Sequence, residues 1–336
     1  MGMTLDVKLS EEHSKFLKDT AKSESPKNIE LLLRLMEMSG EKILSPKDRK
    51  GMNPMLIPVT IGEDEEKGKL CYMRWPTQRE DMELQLVRTC NVGMVLESMS
   101  TDLMCRRIVA EMDFYGKNGA VDAVKMLNDA GFEYTSGDYI SYIKSGKFPT
   151  ITEEDLRLVL DRYLLTKVGP FPDCYERLAD NFLEKKDTIS ALVTCERAVS
   201  LFYGWGHPVA FHADMLMIVG RETEAKDAAR AALGMPLWTV GRNKAGLERA
   251  ATTAGFTGTE ILGEMHAYRA AEERTEEIKE GLDPSQLALD QAAHLMDACV
   301  MGAIEGGWPQ LIPIIAEKYR SAGYDDVAEF FEAYTN

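Results

Sequence analysis

The sequence predicts a mainly α-helical chain, an array of helical hairpins preceded by a small α+β region with an antiparallel sheet. Three observations carry that prediction. Residues 172–239 hold two copies of one 34-residue pattern. Between about residues 54 and 98, short β-type runs alternate with glycine-bearing turns. From Ser100 onward the apolar residues recur at helical spacing almost to the C-terminus.

In chain order, "SEEHSKFLKDTAKS" (10–23) and "SPKNIELLLRLMEMSG" (25–40) read as two helices. Ser25 is placed to cap the second, Pro26 to occupy its first turn and Gly40 to end it. The stretch "PMLIPVTIGEDEEKGKLCYMRW" (54–75) is two β-type runs around an acidic turn with glycine at both ends, hence a hairpin. "MELQLVRT" (82–89) and "NVGMVLES" (91–98) supply two further strands. Pro54, Pro58 and Pro76 are expected at strand edges or ends, where a missing N–H is tolerated. The expected division is an N-terminal α+β region over 1–99, a helical connector over 100–171, two hairpin units over 172–239 and a helical C-terminal region over 240–336.

The internal repeat sets residues 172–205 above 206–239. Ala179 falls on Ala213, Phe182 on Leu216, Ala191 on Ala225, Cys195 on Ala229 and Ala198 on Ala232. Small residues recur because two helices of a hairpin, and successive hairpins, approach too closely there for a larger side chain. A 34-residue period is that of a tetratricopeptide unit. Gly220 supplies the turn inside the second copy, Lys186 stands in its place in the first, and Pro236 ends the unit. "AEKYRSAGYDDVAEFF" (316–331) is a truncated third echo, with Ala316, Gly323 and Ala328 in the same relative places. Two units rarely bury enough surface alone. Helices over 258–281 and 283–304 are therefore expected to complete the stack.

Composition excludes several functions. The formal net charge is −16 over 336 residues, and no basic stretch of useful length offsets it, so nucleic acid is not an expected partner. No window approaches the ~18 consecutive apolar residues of a membrane span. "MGMTLDVKLSEEHSKF" has neither an apolar signal core nor Arg/Ser-rich transit character, so the protein works where it is made or the chain is a mature form. The six cysteines are scattered without a C-x-x-C pair, which argues against structural zinc and against a disulfide-stapled scaffold.

"GWGHPVAFHAD" (204–214) is the stretch that most suggests chemistry. Metal-binding histidines on one helix want a spacing of four. His207 and His212 are five apart, which places them about 140° from each other around the helix, and no third ligand is marked. The alternative is a helix start with His207 at the cap and Pro208 in the first turn. Phosphate-cradling loops, dinucleotide fingerprints and nucleophile elbows are absent from the sequence.

The helix faces of the repeat carry the candidate binding residues. Tyr175, Leu178, Ala179 and Phe182 form an apolar stripe, and Asp173, Glu176, Asp180 and Glu184 occupy the opposite face. In the second copy His207, Asp214 and Met217 take the corresponding places. Two readings stand: an acidic groove for a basic partner segment, or an ordinary solvated helix face.

Six segments in order, "GEKILSP" (40–46), "RWP" (74–76), "LLTKVGPFPD" (164–173), "GWGHP" (204–208), "GRETEAKDAARAAL" (220–233) and "PLWTVG" (236–241), resemble the plant family called IN CHLOROPLAST ATPASE BIOGENESIS. The resemblance implies a stromal, non-enzymatic factor; no cofactor or metal is expected from the residues. Such a factor helps assemble the F1 head of chloroplast ATP synthase by holding an unassembled subunit. A general tetratricopeptide adaptor, and an enzyme with an unrecognised site near Trp205, His207 and His212, are the alternatives.

Overall fold

The computed structural model of the protein describes residues 3–62, 64, 68–77, 82–90, 93–144, 153–257, 263–264, 281 and 283–334. Two helices, α1 (Met3–Asp19) and α2 (Ile29–Met38), lead into five strands. These are β1 (Lys42–Ile43), β2 (Leu56–Ile61), β3 (Lys69–Met73), β4 (Gln85–Thr89) and β5 (Met94–Ser98). All neighbours pair antiparallel in chain order, a simple meander. β2 and β3 are buried along nearly their whole length, so the centre of the sheet is covered on both faces. The apolar run of α2 packs against β1 and β2, and α3 (Thr101–Phe114) against β4 and β5. Ser100 caps α3, its side chain accepting from the Leu103 amide at 3.2 Å.

Three local expectations are corrected. Helix α2 starts at Ile29 behind Asn28, not at Pro26; the Ser25 hydroxyl donates to Ser14 Oγ at 3.0 Å instead of capping the helix. Pro58 lies inside β2, not at an edge. Its missing N–H is accommodated by a bulge between Pro58 and Thr60 and by the shortness of β1, whose two residues reach only Thr60 and Ile61. The first helix of the second repeat copy starts at Gly206, which makes His207 its second residue and Trp205 the cap. The predicted helix over 258–281 and turn positions 63 and 65–67 lie outside the described residues, apart from 263–264 and 281.

Helices α4 (Ala120–Asp129), α5 (Ile140–Lys144) and α6 (Glu153–Tyr163) follow α3, and α6 runs on into a π-helical turn over Leu164–Val168. The repeat then forms two helical hairpins, α7 (Pro172–Glu184) with α8 (Thr188–Leu201), and α9 (Gly206–Ile218) with α10 (Glu222–Leu233). Both helices of the second hairpin start 34 residues after their counterparts. The turn residues match as well, with Lys186 at φ 61° and Gly220 at φ 80°. Ala179, Ala191, Cys195, Ala213, Ala225 and Ala229 are buried at the helix contacts. A 3-10 turn (Leu237–Thr239) leads to α11 (Lys244–Ala254), which packs on α10 and α9.

After α12 (Pro284–Val300), helices α13 (Trp308–Ser321) and α14 (Asp325–Glu332) form the closing hairpin, with Gly323 at φ 84° in its turn. This hairpin returns to the N-terminal sheet. One buried core runs from Phe16 and Leu32 through Leu56 and Tyr72 to Ile315 and Phe331. Fully buried Arg49 clips the two ends together: Nε donates to the Leu56 carbonyl at 3.1 Å, Nη1 to that of Phe330 at 3.0 Å and Nη2 to that of Pro54. Its guanidinium also stacks on the Phe330 ring at 3.9 Å. Tyr334 donates to the Met52 carbonyl at 2.8 Å.

Candidate partner-binding site

The acidic stripe of α7 divides into residues that brace the fold and residues that face solvent. Asp173, in the first turn of α7, accepts both Nη atoms of Arg107 from α3 at 2.9 and 2.6 Å and Arg177 Nη2 at 2.9 Å. Fully buried Asp161 of α6 accepts Arg177 Nε and Nη2 at 2.8 Å each and lies 3.2 Å from Arg157 Nε. Glu111 holds both Arg107 and Arg157 at 3.2 Å. Burial alone would raise the Asp173 carboxyl; the charges and hydrogen bonds of Arg107 and Arg177 reverse that and hold it well below the usual carboxylate range. Asp173 thus anchors the first hairpin to α3 and α6.

Glu176 and His207 join successive hairpins. Glu176 Oε1 is 3.0 Å from His207 Nε2, and Oε2 accepts from Arg242 Nη2 at 3.0 Å. His207 Nδ1 lies 3.2 Å from the Val240 carbonyl. Asp214 accepts from Arg249 Nε at 3.0 Å, tying α9 to α11.

Asp180, Glu184 and Met217 remain exposed, on the C-terminal halves of α7 and α9. Partial desolvation, reinforced by the nearby charges of Glu176 and Glu184, raises the Asp180 carboxyl although the residue is exposed. Ile218, beside Met217, is 64% exposed, so this end of the stack presents carboxylates together with apolar side chains.

The "GWGHP" stretch is a socket that seats α9. The Gly206 amide donates to Thr239 Oγ1 at 3.0 Å, and a Cβ at Gly206 would lie 2.5 Å from Val240 Cγ2. Trp205 is buried, and its Nε1 donates to Gln85 Oε1 at 3.0 Å. Trp75 Nε1 donates to the same oxygen at 2.9 Å, and the two indoles meet edge to face at 5.6 Å. His212 does not share the surroundings of His207: burial lowers its pKa, and Glu196, Arg221 and Glu224 are the charges it senses. Among the described residues no group of three His, Cys, Asp or Glu side chains is placed to hold a metal ion, and no helix is long and apolar enough to cross a membrane.

Sequence reasoning missed the arginine side of this arrangement. Arg107 stands 66 positions before Asp173 and Arg242 the same distance after Glu176; spacing along one helix carries no trace of either.

The geometry defines a mainly helical protein in which internally braced hairpins are seated on a small antiparallel sheet. Three consecutive family models match it: PAB N-terminal over residues 11–148, PAB middle domain over 172–257 and PAB C-terminal domain over 263–334. The chain is 33% identical over 321 residues to Protein IN CHLOROPLAST ATPASE BIOGENESIS, chloroplastic, of Arabidopsis thaliana, a match covering 95% of this chain and 90% of that one. The chain belongs to this PAB family. No solved structure matches it.

Proposed function

We propose that the chain is a non-enzymatic assembly factor for chloroplast ATP synthase, acting in the stroma by holding an unassembled subunit of the F1 head. The observation that carries this reading is the near full-length similarity to a protein named for chloroplast ATPase biogenesis. We further propose that the hairpins are of tetratricopeptide type, supported by the 34-residue spacing of both helix starts, and that their groove binds the partner. With Asp173, Glu176, His207 and Asp214 occupied within the fold, Asp180, Glu184 and Met217 make the direct contacts. Carboxylates beside exposed apolar side chains suit a basic amphipathic segment.

The test is capture from stromal extract with the tagged full chain at low and moderate salt. F1 subunits are expected to be retained, less so as salt rises. Asp180→Asn with Glu184→Gln, and Met217→Ser, should each reduce retention severalfold without changing the thermal midpoint. Retention of no F1 subunit would overturn the assembly reading. Retention indifferent to salt and to these changes would remove the groove from it.

A further inference from the structure

A cavity of about 500 Å³ opens where the sheet meets the C-terminal helices. Its walls come from the loop before β2, the turn-side ends of β2 to β5, the 3-10 turn and the junction of α12 with α13. That volume lies within the ~300–1,000 Å³ common for small-molecule sites.

Its described lining is basic. The protein carries 55 acidic and 39 basic side chains, yet the described lining includes Lys50 and Lys69 and no carboxylate. Among the described residues neither lysine has an ion-pair partner, and Lys69 Nζ has only the Met52 sulfur, at 3.9 Å. Two further lining residues carry donors that lie behind the cavity surface and have no acceptor among the described residues. Asn53 and Trp238 are 8% and 2% exposed, and Asn53 Nδ2 and Trp238 Nε1 lack hydrogen-bond partners among the described residues. Unpaired buried donors are rare in native folds. Trp308, half-buried, adds a second indole to the walls. Gly93 lets β5 close against Trp238, where a Cβ would lie 2.4 Å from the Trp238 carbonyl oxygen.

Unpaired cations call for an anion, and the half-buried Trp308 indole calls for a flat ring. We infer that this cavity binds a small anion carrying a planar ring, in the chemical class of nucleoside and flavin phosphates. Lys50 and Lys69 take the charge, and the side bearing Trp308 takes the ring. The inference is independent of the partner-binding surface and of the assembly role. Because the cavity joins the sheet to α12 and α13, its occupant stabilises the closed core by mass action.

The test is isothermal titration calorimetry and thermal unfolding of the full chain with ADP and flavin mononucleotide. Adenosine, riboflavin and inorganic phosphate serve as fragments. At least one ring anion is expected to bind saturably and raise the melting temperature. Its phosphate-free fragment, and phosphate alone, should bind at least tenfold more weakly. Lys50→Gln with Lys69→Gln should weaken binding at least tenfold while leaving the unliganded melting temperature unchanged, and Trp308→Leu should weaken the ring anion but not phosphate. If the double glutamine variant is itself unstable, Lys69→Arg, which keeps the charge, should retain binding. Binding by neither ring anion, or equal binding by the double variant, overturns the proposal. Phosphate binding as tightly as the ring anions overturns its ring.

Discussion

Replacing Asp173 by asparagine tests whether the acid stripe of α7 braces the fold. The carboxylate accepts three charge-assisted hydrogen bonds at 2.6–2.9 Å from Arg107 and Arg177. Asparagine keeps the shape, removes the charge and turns an NH2 group toward guanidinium donors. Arg107, whose side chain is 8% exposed, keeps Glu111 as its ion-pair partner among the described residues. Breaking a buried pair from one side costs about 3–5 kcal/mol. Asp173 keeps 22% exposure, so the lower end, about 3 kcal/mol, is expected. Urea unfolding followed by tryptophan fluorescence reads this as a lower midpoint.

The pH dependence gives a second reading of the same contact. The folded value of Asp173 lies below its unfolded value of about 3.9. Its contribution is therefore present in full above the unfolded value and is lost as pH falls through the folded one. The stability gap between the parent and the Asp173→Asn variant should be constant from pH 7 to 5 and narrow below about pH 4. Exposed Asp180→Asn serves as the control, expected within about 0.5 kcal/mol of the parent. An Asp173→Asn variant within 1 kcal/mol of the parent at pH 7, or a gap that does not narrow in acid, would refute the brace.

Two further changes probe other joints. Lys186 holds φ 61° on the exposed turn of the first hairpin, a conformation that costs a side-chain-bearing residue ~1–2 kcal/mol. Lys186→Gly should raise stability by about 0.5–1 kcal/mol once the greater freedom of glycine in the unfolded chain is subtracted, measured as a rise in the thermal midpoint. Gln85→Leu leaves two indole N–H groups without their acceptor. A loss of about 2–4 kcal/mol and a changed tryptophan emission spectrum are expected, and an unaltered spectrum would mean the indoles find other partners.

The repeat was legible because close helix contacts admit only small side chains, and Ala179, Ala191 and Cys195 stand in register with Ala213, Ala225 and Ala229. β2 to β5 were legible from their β-type runs, and the closing hairpin from Gly323 between Ala316 and Ala328. β1, two residues long, has no pattern to read. The Ser25–Pro26 cap signature misled because Ser25 has a partner in α1, which no local rule includes. For the candidate site, sequence spacing placed the acids on one helix face but could not say what stands opposite. Glu176 and Asp180 are one turn apart, yet one meets His207 and Arg242 while the other meets solvent.

The Arg49 clip and the shared core have a consequence for how the chain comes off the ribosome. Phe330, Phe331 and Tyr334 complete a core that Phe16, Leu17 and Leu32 begin. At 5–20 residues per second the early helices wait on the order of 15–60 s for that cover. Until then Leu32 and its neighbours have no permanent lid, and the Arg49 donor that will meet the Phe330 carbonyl is served by water. The sheet can form early, but its sealing waits for α14, so nascent chains halted before about residue 325 should remain sensitive to protease over residues 3–98.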